Sequence, residues 1–326
     1  MKYRVLLIEP TIQPVGINIL KKHCEITMAP DGNEETLIKY INESKAEGLI
    51  SRVEPITRKV FESCPTLKAV SAHGVGLDHI DVETATKHGI RVLNVPDANY
   101  TSVAEHAIMF ILACARNVIV TDRSVRKGNW QFRNTNLPHD IAGKILMTIA
   151  FGRIGRDVAK KAQALDMNVI AYDAYVSREA MNELGVEKVE KLEDGLAKAD
   201  YVTIHAPLTP ETRDMFSDEQ FKVMKPSAYL LNCGRGPVVN QAALYKALKE
   251  NMIAGAALDV FEQEPPEKCN PLFDLDNIIV TAHNAGDTYE SRQRCSKKAA
   301  ENLVLALDGE TTYNWFNRCE LEAAKD

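Results

Sequence analysis

The chain has 326 residues, 45% of them apolar and 26% charged, which is the balance of a folded globular protein and excludes wholesale disorder. At roughly 100–200 residues per domain, this length predicts two domains. A net charge of −6 without a dense run of Lys or Arg argues against nucleic acid as a partner, and no apolar run reaches the ~18 residues of a membrane span.

The first hundred residues alternate strand-like apolar runs with helical amphipathic ones. Strands are predicted at residues 3–9, 48–50, 67–72 and 91–94; helices are predicted at 15–22 and at 34–43, the latter capped by Asn33. Such alternation indicates a parallel, doubly wound sheet.

A long helical pattern over residues 102–125 and a polar, irregular stretch over 127–139 come next. A second alternating series follows, with predicted elements at 144–150, 152–165, 167–172, 201–205, 228–232, 241–250, 255–259 and 278–281, and a last helix at 289–307. Two such series predict two α/β domains. The first would comprise residues 1–100 and 288–326, and the second, inserted domain would comprise residues 101–287.

The sharpest local motif is AFGRIG over residues 150–155, between a predicted strand and a predicted helix. It resembles the dinucleotide fingerprint GxGxxG, with Ala150 in place of the first glycine and with Gly152 and Gly155 as the other two. Asp173 ends the next strand, where an acid accepts hydrogen bonds from the adenosine ribose and repels a 2′-phosphate. We therefore expect NAD rather than NADP. The alternative for the short motif alone is a packing corner between a strand and a helix.

Three later segments place polar residues at the ends of predicted strands, where open α/β sheets bind their ligands. They are NCGRG (232–236), DVFEQEPP (259–266) and TAHNAG (281–286), and they supply a guanidinium, carboxylates and an imidazole. Arginine can grip a carboxylate with two hydrogen bonds, and histidine can protonate a carbonyl oxygen at neutral pH. This set of groups suits the reduction of a 2-oxo acid.

From residue 51 to residue 317 the chain resembles the D-isomer-specific 2-hydroxyacid dehydrogenase family, which includes 3-phosphoglycerate dehydrogenases, glyoxylate/hydroxypyruvate reductases and D-lactate dehydrogenases. The matching motifs are GVGLDHID (74–81), NVP (94–96), SVAE (102–105), FGRIG (151–155), HAPLT (205–209), MKP (224–226), NCGRG (232–236), LDVFEQEP (258–265) and TAHNAG (281–286). Their order and spacing together are far more specific than any one of them. The resemblance implies a flavodoxin-like substrate domain and an inserted Rossmann domain that binds NAD, with hydride transfer in a cleft between them.

The resemblance also implies catalytic roles. Arg235 would bind the substrate carboxylate, His283 would be the acid/base, and Glu264, rather than Glu262, would be the partner of His283. Backbone N–H groups of Gly74, Val75 and Gly76 would hold the substrate carboxylate as well.

Other residues would contact the cofactor in the resembling family. These are Val75, Gly152, Arg153, Ile154, Gly155, Asp173, Ala206, Cys233, Gly234, Arg235, Asp259, His283 and Gly286. In the resembling family the subunits contact each other through the stretch that corresponds to residues 127–139, so a homodimer is expected.

The seven cysteines are scattered and form no CxxC pair, a pattern typical of free thiols in a reducing cytoplasm rather than of disulfides or a zinc site. We therefore expect a cytoplasmic protein without a metal and with a small-molecule substrate. The competing hypothesis is a non-catalytic NAD-sensing corepressor of the same fold. The substrate stays open between 3-phosphoglycerate and a small or hydrophobic acid, with the balance slightly toward the latter because His73 stands where an arginine would serve a phosphate better.

Overall fold

The computed structural model describes residues 2–312 and 314–323. The chain separates into two compact units: unit 1 comprises Met1–Asn99 and Asp287–Asp326, and unit 2 comprises Tyr100–Gly286. The chain therefore leaves unit 1 once and returns to it. The predicted boundaries, after residues 100 and 287, lie one residue beyond these.

Unit 1 is built on a parallel sheet. Its strands are β1 (Tyr3–Ile8), β2 (Cys24–Ala29), β3 (Gly48–Ser51), β4 (Ala69–Ala72) and β5 (Arg91–Leu93). Their order is β2-β1-β3-β4-β5, the flavodoxin-like order that was expected. The sequence did not predict β2, because this edge strand is mostly half-buried and mixes polar with apolar side chains.

Helices cover both faces of this sheet. They are α1 (Pro14–His23), α2 (Glu34–Ser44), α3 (Arg58–Ser63), α4 (Val82–Lys87), α12 (Tyr289–Leu307) and α13 (Arg318–Ala323). Alternate residues of β1 point to opposite faces, so Leu6 joins the core beneath α2 and α3, whereas Leu7 joins the core beneath α1 and α12. Asn33 precedes α2 as predicted, although its side chain makes no capping hydrogen bond.

Unit 2 is built on a second parallel sheet. Its strands are β6 (Ile145–Ile149), β7 (Asn168–Tyr172), β8 (Glu187–Lys188), β9 (Tyr201–Ile204), β10 (Tyr229–Asn232), β11 (Gly255–Leu258) and β12 (Ile278–Val280). They run in the order β12-β11-β10-β9-β6-β7-β8, which is the Rossmann order extended by one strand. The predicted class of two doubly wound parallel sheets is therefore confirmed. The order reverses between β6 and β9, and that point is where such sheets bind ligands.

The helices of unit 2 are α5 (Tyr100–Ala115), α6 (Val118–Arg126), α7 (Arg153–Gln163), α8 (Arg178–Asn182), α9 (Leu192–Leu196), α10 (Asp218–Val223) and α11 (Gln241–Lys249). The prediction of one helix over 102–125 was wrong. Asn117 takes a left-handed φ of +50°, which ends one helix and starts the next; asparagine tolerates this conformation better than most residues. Among the described residues no single helix is long and apolar enough to cross a membrane, and α5 with α6 passes that test only as a pair bent by 57°.

The core of unit 2 has one layer on each face of its sheet. Leu146 of β6 packs with residues of α5 and α7, whereas its neighbour Met147 packs with residues of α10 and α11. Because both faces are covered, the strands are mostly apolar. Their buried polar residues include Thr148, Thr203 and Asn232.

Candidate active site

The glycine-rich turn connects β6 with α7 at the point where the strand order reverses. Ala150 takes a left-handed φ of +69°, a conformation in which glycine carries no steric penalty. A Cβ on Gly155 would lie 2.3 Å from the carbonyl oxygen of Ala150, so close packing requires that glycine. A Cβ on Gly152 would meet no protein atom within 4 Å. Gly152 therefore leaves room beside the exposed N–H groups that begin α7, which fits the close approach of a pyrophosphate.

Asp173 follows β7 and holds the glycine-rich turn. Its Oδ2 accepts a hydrogen bond from the Phe151 amide at 2.7 Å, and its Oδ1 accepts from the amides of Tyr175 and Val176 at 2.8 and 2.9 Å. Burial alone would raise the pKa of Asp173, but these three amides, with the charge of Lys188, lower it. Asp173 is thus a fixed anion beside the turn, as an acid that meets ribose hydroxyl groups must be.

The ends of β9 and β10 contribute further groups. The Nε2 of His205 forms a hydrogen bond with the Thr203 hydroxyl at 3.0 Å. The buried Nδ1 of the same ring has no partner among the described residues. Burial lowers the pKa of His205 to about 3, so its ring is neutral. Ala206 and Cys233 are also buried at these strand ends, and burial raises the pKa of the Cys233 thiol. An orphaned polar atom at this edge of the sheet fits a site that a polar ligand completes.

Arg235 follows β10 in a turn that its neighbours hold tightly. The buried side chain of Asn232 accepts a hydrogen bond from the Gly234 amide and donates one to the Arg235 carbonyl, both at 3.0 Å. The guanidinium of Arg235 donates to the Gly234 carbonyl at 2.9 Å. A Cβ on Gly236 would overlap the Phe261 carbonyl oxygen at 1.8 Å, so only glycine lets this turn pack against the turn after β11.

Glu264 and His283 form a close pair in unit 2. The Nδ1 of His283 lies 2.5 Å from Oε2 of Glu264. Since a carboxylate only accepts, Nδ1 carries the proton and Nε2 is the ring atom left to exchange one. The hydrogen bond to Glu264 raises the pKa of His283 above the ordinary value, against the opposing effect of burial. Burial tends to raise the pKa of Glu264, but the hydrogen bonds from His283 and from the Phe261 amide lower it.

Glu262 lies elsewhere. Its carboxylate accepts a hydrogen bond from the Gln241 amide at 2.7 Å. Of the two acids, Glu264 is therefore the one that contacts the histidine.

Asp259 is fully buried at the end of β11 and holds the residues around His283. Its carbonyl accepts a hydrogen bond from the His283 amide at 2.7 Å. Its carboxylate accepts from the amides of Asn284 and Ala285 at 2.9 and 2.8 Å and from the Thr281 hydroxyl at 2.5 Å. His283 has a left-handed φ of +49°, and this set of bonds keeps it there. Asp259, which the resemblance assigns to the cofactor, organises the loop that carries His283 in this structure.

The remaining predicted site residues lie in unit 1, in the loop that follows β4. There the Gly74 carbonyl accepts a hydrogen bond from the Val95 amide at 2.7 Å, and the Val75 carbonyl accepts one from Asn94 at 2.9 Å. A Cβ on Gly74 would meet nothing within 4 Å. The assignment of Gly74, Val75 and Gly76 to a substrate carboxylate stays a prediction.

Charged side chains collect at the same edge of unit 1. Arg292 donates hydrogen bonds to both carboxylate oxygens of Asp287, and Arg52 lies 4.0 Å from one of them. The two bonds from Arg292 lower the pKa of Asp287. Burial, with the nearby charge of Arg52, lowers the pKa of His73 to about 4, so this histidine is neutral near pH 7.

The predicted residues of unit 2 all follow strands of one sheet. Gly152, Arg153, Ile154 and Gly155 follow β6, Asp173 follows β7, Ala206 follows β9, Cys233, Gly234 and Arg235 follow β10, Asp259 and Glu264 follow β11, and His283 and Gly286 follow β12. Asn232, His205 and Thr281 have no role predicted from the sequence, although their positions at strand ends are a signal that could have identified them. No group of three or more His, Cys, Asp or Glu within residues 2–312 and 314–323 is arranged to hold a metal ion, and all seven cysteines are free thiols.

Known proteins resemble this chain over most of its length. Residues 108–285 match the family model of the NAD binding domain of D-isomer specific 2-hydroxyacid dehydrogenases. A D-3-phosphoglycerate dehydrogenase of Methanocaldococcus jannaschii is 41% identical over 96% of this chain, which spans 59% of that protein. A glyoxylate reductase of Korarchaeum cryptofilum is 39% identical over 98% of this chain and 97% of its own length. The crystal structure of a Thermus thermophilus protein matches with a TM-score of 0.86 at 33% identity, covering 95% of this chain and 99% of that one.

Proposed function

The chain belongs to the D-isomer specific 2-hydroxyacid dehydrogenase family, and we propose that it interconverts a D-2-hydroxy acid and its 2-oxo acid with NAD. The observation that carries this proposal is the 2.5 Å contact between His283 and Glu264. Glu264 holds the proton on Nδ1 of His283, which leaves Nε2 to exchange one, on the same sheet edge as Arg235 and the glycine-rich turn.

Arg235 binds the carboxylate of the substrate in this proposal. A guanidinium offers two parallel N–H donors, which match the two oxygens of a carboxylate and fix its orientation. The bonds from Asn232 and to Gly234 hold the Arg235 turn before substrate arrives. The orientation of the adjacent carbonyl group is then set by the protein rather than by the substrate.

His283 gives its Nε2 proton to the carbonyl oxygen as the 2-oxo acid is reduced, and takes it back in oxidation. Glu264 accepts from Nδ1, which fixes the ring orientation and stabilises the protonated imidazole. The directions of the pKa shifts agree with these roles, since the contact raises the pKa of His283 and lowers the pKa of Glu264. NAD, when bound, supplies or accepts the hydride at the carbon that bears this oxygen.

The residues that would hold NAD fit its chemistry. Gly152, with the amides of Arg153 and Ile154, would take the pyrophosphate, and Asp173 the adenosine ribose. Arg178, the first cation after Asp173, is paired with Glu190 at 2.6 Å. Its charge is thereby partly neutralised, which supports NAD over NADP.

We propose a small 2-oxo acid without a distal charge, such as glyoxylate or hydroxypyruvate, as the substrate. A phosphate would need unsatisfied cationic charge near the carboxyl edge of the unit 1 sheet. There Asp287 neutralises Arg292 and part of the charge of Arg52, and His73 is neutral.

A homodimer is also proposed. Its support is a set of large apolar side chains exposed on α5, on α6 and on the segment that follows: Met109, Leu112, Val118, Ile119, Val125, Trp130 and Leu137. An exposed apolar patch of this kind marks a protein interface. Free thiols at all cysteines support a reducing compartment such as the cytoplasm.

The test is NADH oxidation by the purified protein with glyoxylate, hydroxypyruvate, pyruvate and 3-phosphohydroxypyruvate. We expect turnover that is fastest with the small acids that lack a distal charge, and we expect His283→Asn to lower it by about 10²–10⁴-fold. Binding of NADH without turnover on any of these acids would instead support the NAD-sensing hypothesis.

A further inference from the structure

Two residues outside the proposed catalytic set contact the anchor of the His283 loop. Thr281 follows β12 and His106 lies on α5, and both face the buried carboxylate of Asp259. The Thr281 hydroxyl is 2.5 Å from Asp259 Oδ1 and 3.1 Å from Nε2 of His106. His106 itself lies 3.9 Å from that oxygen, and its side chain is only 15% exposed.

The direction of these hydrogen bonds follows from the chemistry of the groups. Both carboxylate oxygens of Asp259 accept from the amides of Asn284 and Ala285, so this group acts as an acceptor and the single hydrogen of the Thr281 hydroxyl goes to it. The hydroxyl oxygen must then accept from His106, whose Nε2 therefore carries a proton. Burial lowers the pKa of His106, so the ring is neutral with its proton on this nitrogen. The result is a one-way chain of donors from His106 through Thr281 to Asp259.

The hydrogen bond from Thr281 to Asp259 matters because Asp259 binds the backbone of the His283 loop. Its carboxylate and carbonyl together bind the amides of His283, Asn284 and Ala285. These bonds keep His283 in a left-handed conformation, which is sterically unfavourable for a residue with a side chain. A carboxylate free to rotate would release two of the three amides, and the histidine would lose its contact geometry with Glu264.

We propose that Thr281 and His106 are positioning residues that lock the Asp259 carboxylate and thereby hold His283 against Glu264. Their influence on the reaction passes through the His283 loop, and neither is assigned a contact with substrate. The assignment rests on the proposed function only in naming His283 as the acid/base. Ring packing adds to the lock, because His106 meets Phe110 edge to face with centroids 4.5 Å apart, which restrains the imidazole.

Thr281→Val is the direct test, since valine keeps the shape and removes the hydroxyl. We expect kcat to fall by about tenfold or more while the KM for the 2-oxo acid changes less than about twofold, because displacement of an acid/base weakens the chemical step. A ¹³C NMR titration of labelled histidines should show the His283 pKa moving down toward its ordinary value, because the Glu264 contact is weakened. Thr281→Ser, which keeps the hydroxyl, should restore both readouts.

His106 provides the second, independent comparison. His106→Leu removes the donor and should reproduce the fall in kcat and in the His283 pKa, whereas His106→Gln retains an N–H donor and should recover much of both. If Thr281→Val fails to fold, this pair decides the question alone. Thr66→Val, which removes a hydroxyl bonded to the Ala46 carbonyl in unit 1, is the matched control and should leave both readouts unchanged.

Wild-type kcat and an unmoved His283 titration in Thr281→Val and His106→Leu would overturn the proposal. So would equal losses in the valine and serine variants, which would indicate a general packing defect. If the wild-type protein turns over no 2-oxo acid but the His283 titration still shifts in the valine and not in the serine variant, the positioning assignment stands and the proposed function fails.

Discussion

The carbonyl oxygen of Ala150 lies 2.3 Å from the position that a Cβ on Gly155 would occupy. The start of α7 therefore packs directly on the turn that follows β6, and there is no room for a side chain between them. Gly152, three residues earlier, has no such constraint, since a Cβ there would meet nothing within 4 Å. The two glycines of this motif are thus required for different physical reasons, Gly155 for close packing and Gly152 for open space. Substitutions can test the two reasons separately.

Gly155→Ala should destabilise the protein, whereas Gly152→Ala should weaken NADH binding with little effect on stability. The first change forces a Cβ onto backbone and should lower the free energy of unfolding by about 1–3 kcal/mol. The second meets no protein atom at an ordinary φ of −74°, so we expect a change within about 0.5 kcal/mol. Urea unfolding and NADH fluorescence titration measure the two effects. Equal NADH affinity in Gly152→Ala and the wild type would contradict the assignment of this turn to the pyrophosphate.

Ala150→Gly should stabilise the protein slightly. Releasing the left-handed alanine recovers about 1–2 kcal/mol, and the added freedom of glycine in the unfolded chain takes back about 0.4–1 kcal/mol. The expected net gain is about 0.5–1 kcal/mol in urea unfolding. Ala164→Gly is the matched control, because Ala164 has an ordinary right-handed conformation, and it should be destabilising. A loss of stability in both variants would mean that Ala150 carries no strain.

Glu264→Gln should lower the rate of 2-oxo acid reduction and move its pH dependence. In the proposed mechanism reduction requires protonated His283, so kcat/KM should be constant at low pH and fall as pH rises through the His283 pKa. Glu264 raises that pKa, and its loss should shift the fall to lower pH. Glu262→Gln is the matched control, since Glu262 binds the Gln241 amide, and it should leave the profile in place. Identical profiles in both variants would exclude Glu264 as the partner in catalysis.

Residues at strand ends were predictable from the sequence, and the contacts that hold them were not. The family resemblance carried by LDVFEQEP favoured Glu264 over Glu262 beside His283, and the structure contains that contact. The resemblance assigned Asp259 only to the cofactor, because its hydrogen bonds to the His283 loop join elements that are neighbours only in the folded sheet. The break between α5 and α6 at Asn117 was not predicted for a related reason. The apolar stripe continues across the break, and a single left-handed residue does not change the hydrophobic periodicity of the sequence.

Arg235→Lys should reduce kcat/KM for the 2-oxo acid by on the order of 10²-fold, because an ammonium group cannot form the paired bonds of a guanidinium. The loss should appear with every 2-oxo acid, while NADH affinity in the absence of substrate stays near the wild-type value. Arg178→Lys, at an exposed pair with Glu190, serves as the control and should leave kcat/KM unchanged. Fluorescence titration and initial rates separate the two quantities. A lysine variant with full activity would remove Arg235 from substrate binding.

Asp287→Asn tests whether this acid sets the proposed preference for substrates without a distal charge. The carboxylate of Asp287 is bonded to Arg292 and lies 4.0 Å from Arg52, so its removal releases cationic charge at the carboxyl edge of the unit 1 sheet. We expect the ratio of kcat/KM for 3-phosphohydroxypyruvate to that for glyoxylate to rise about tenfold, which corresponds to about 1.4 kcal/mol for one improved charged contact. The rise should shrink at high salt, because an exposed charge interaction is screened.

Asp276→Asn, which removes an exposed partner of Arg123 in unit 2, is the control and should leave the ratio unchanged. An unchanged ratio in Asp287→Asn would mean that the substrate is selected by something other than the charge balance around Arg52, Arg292 and His73.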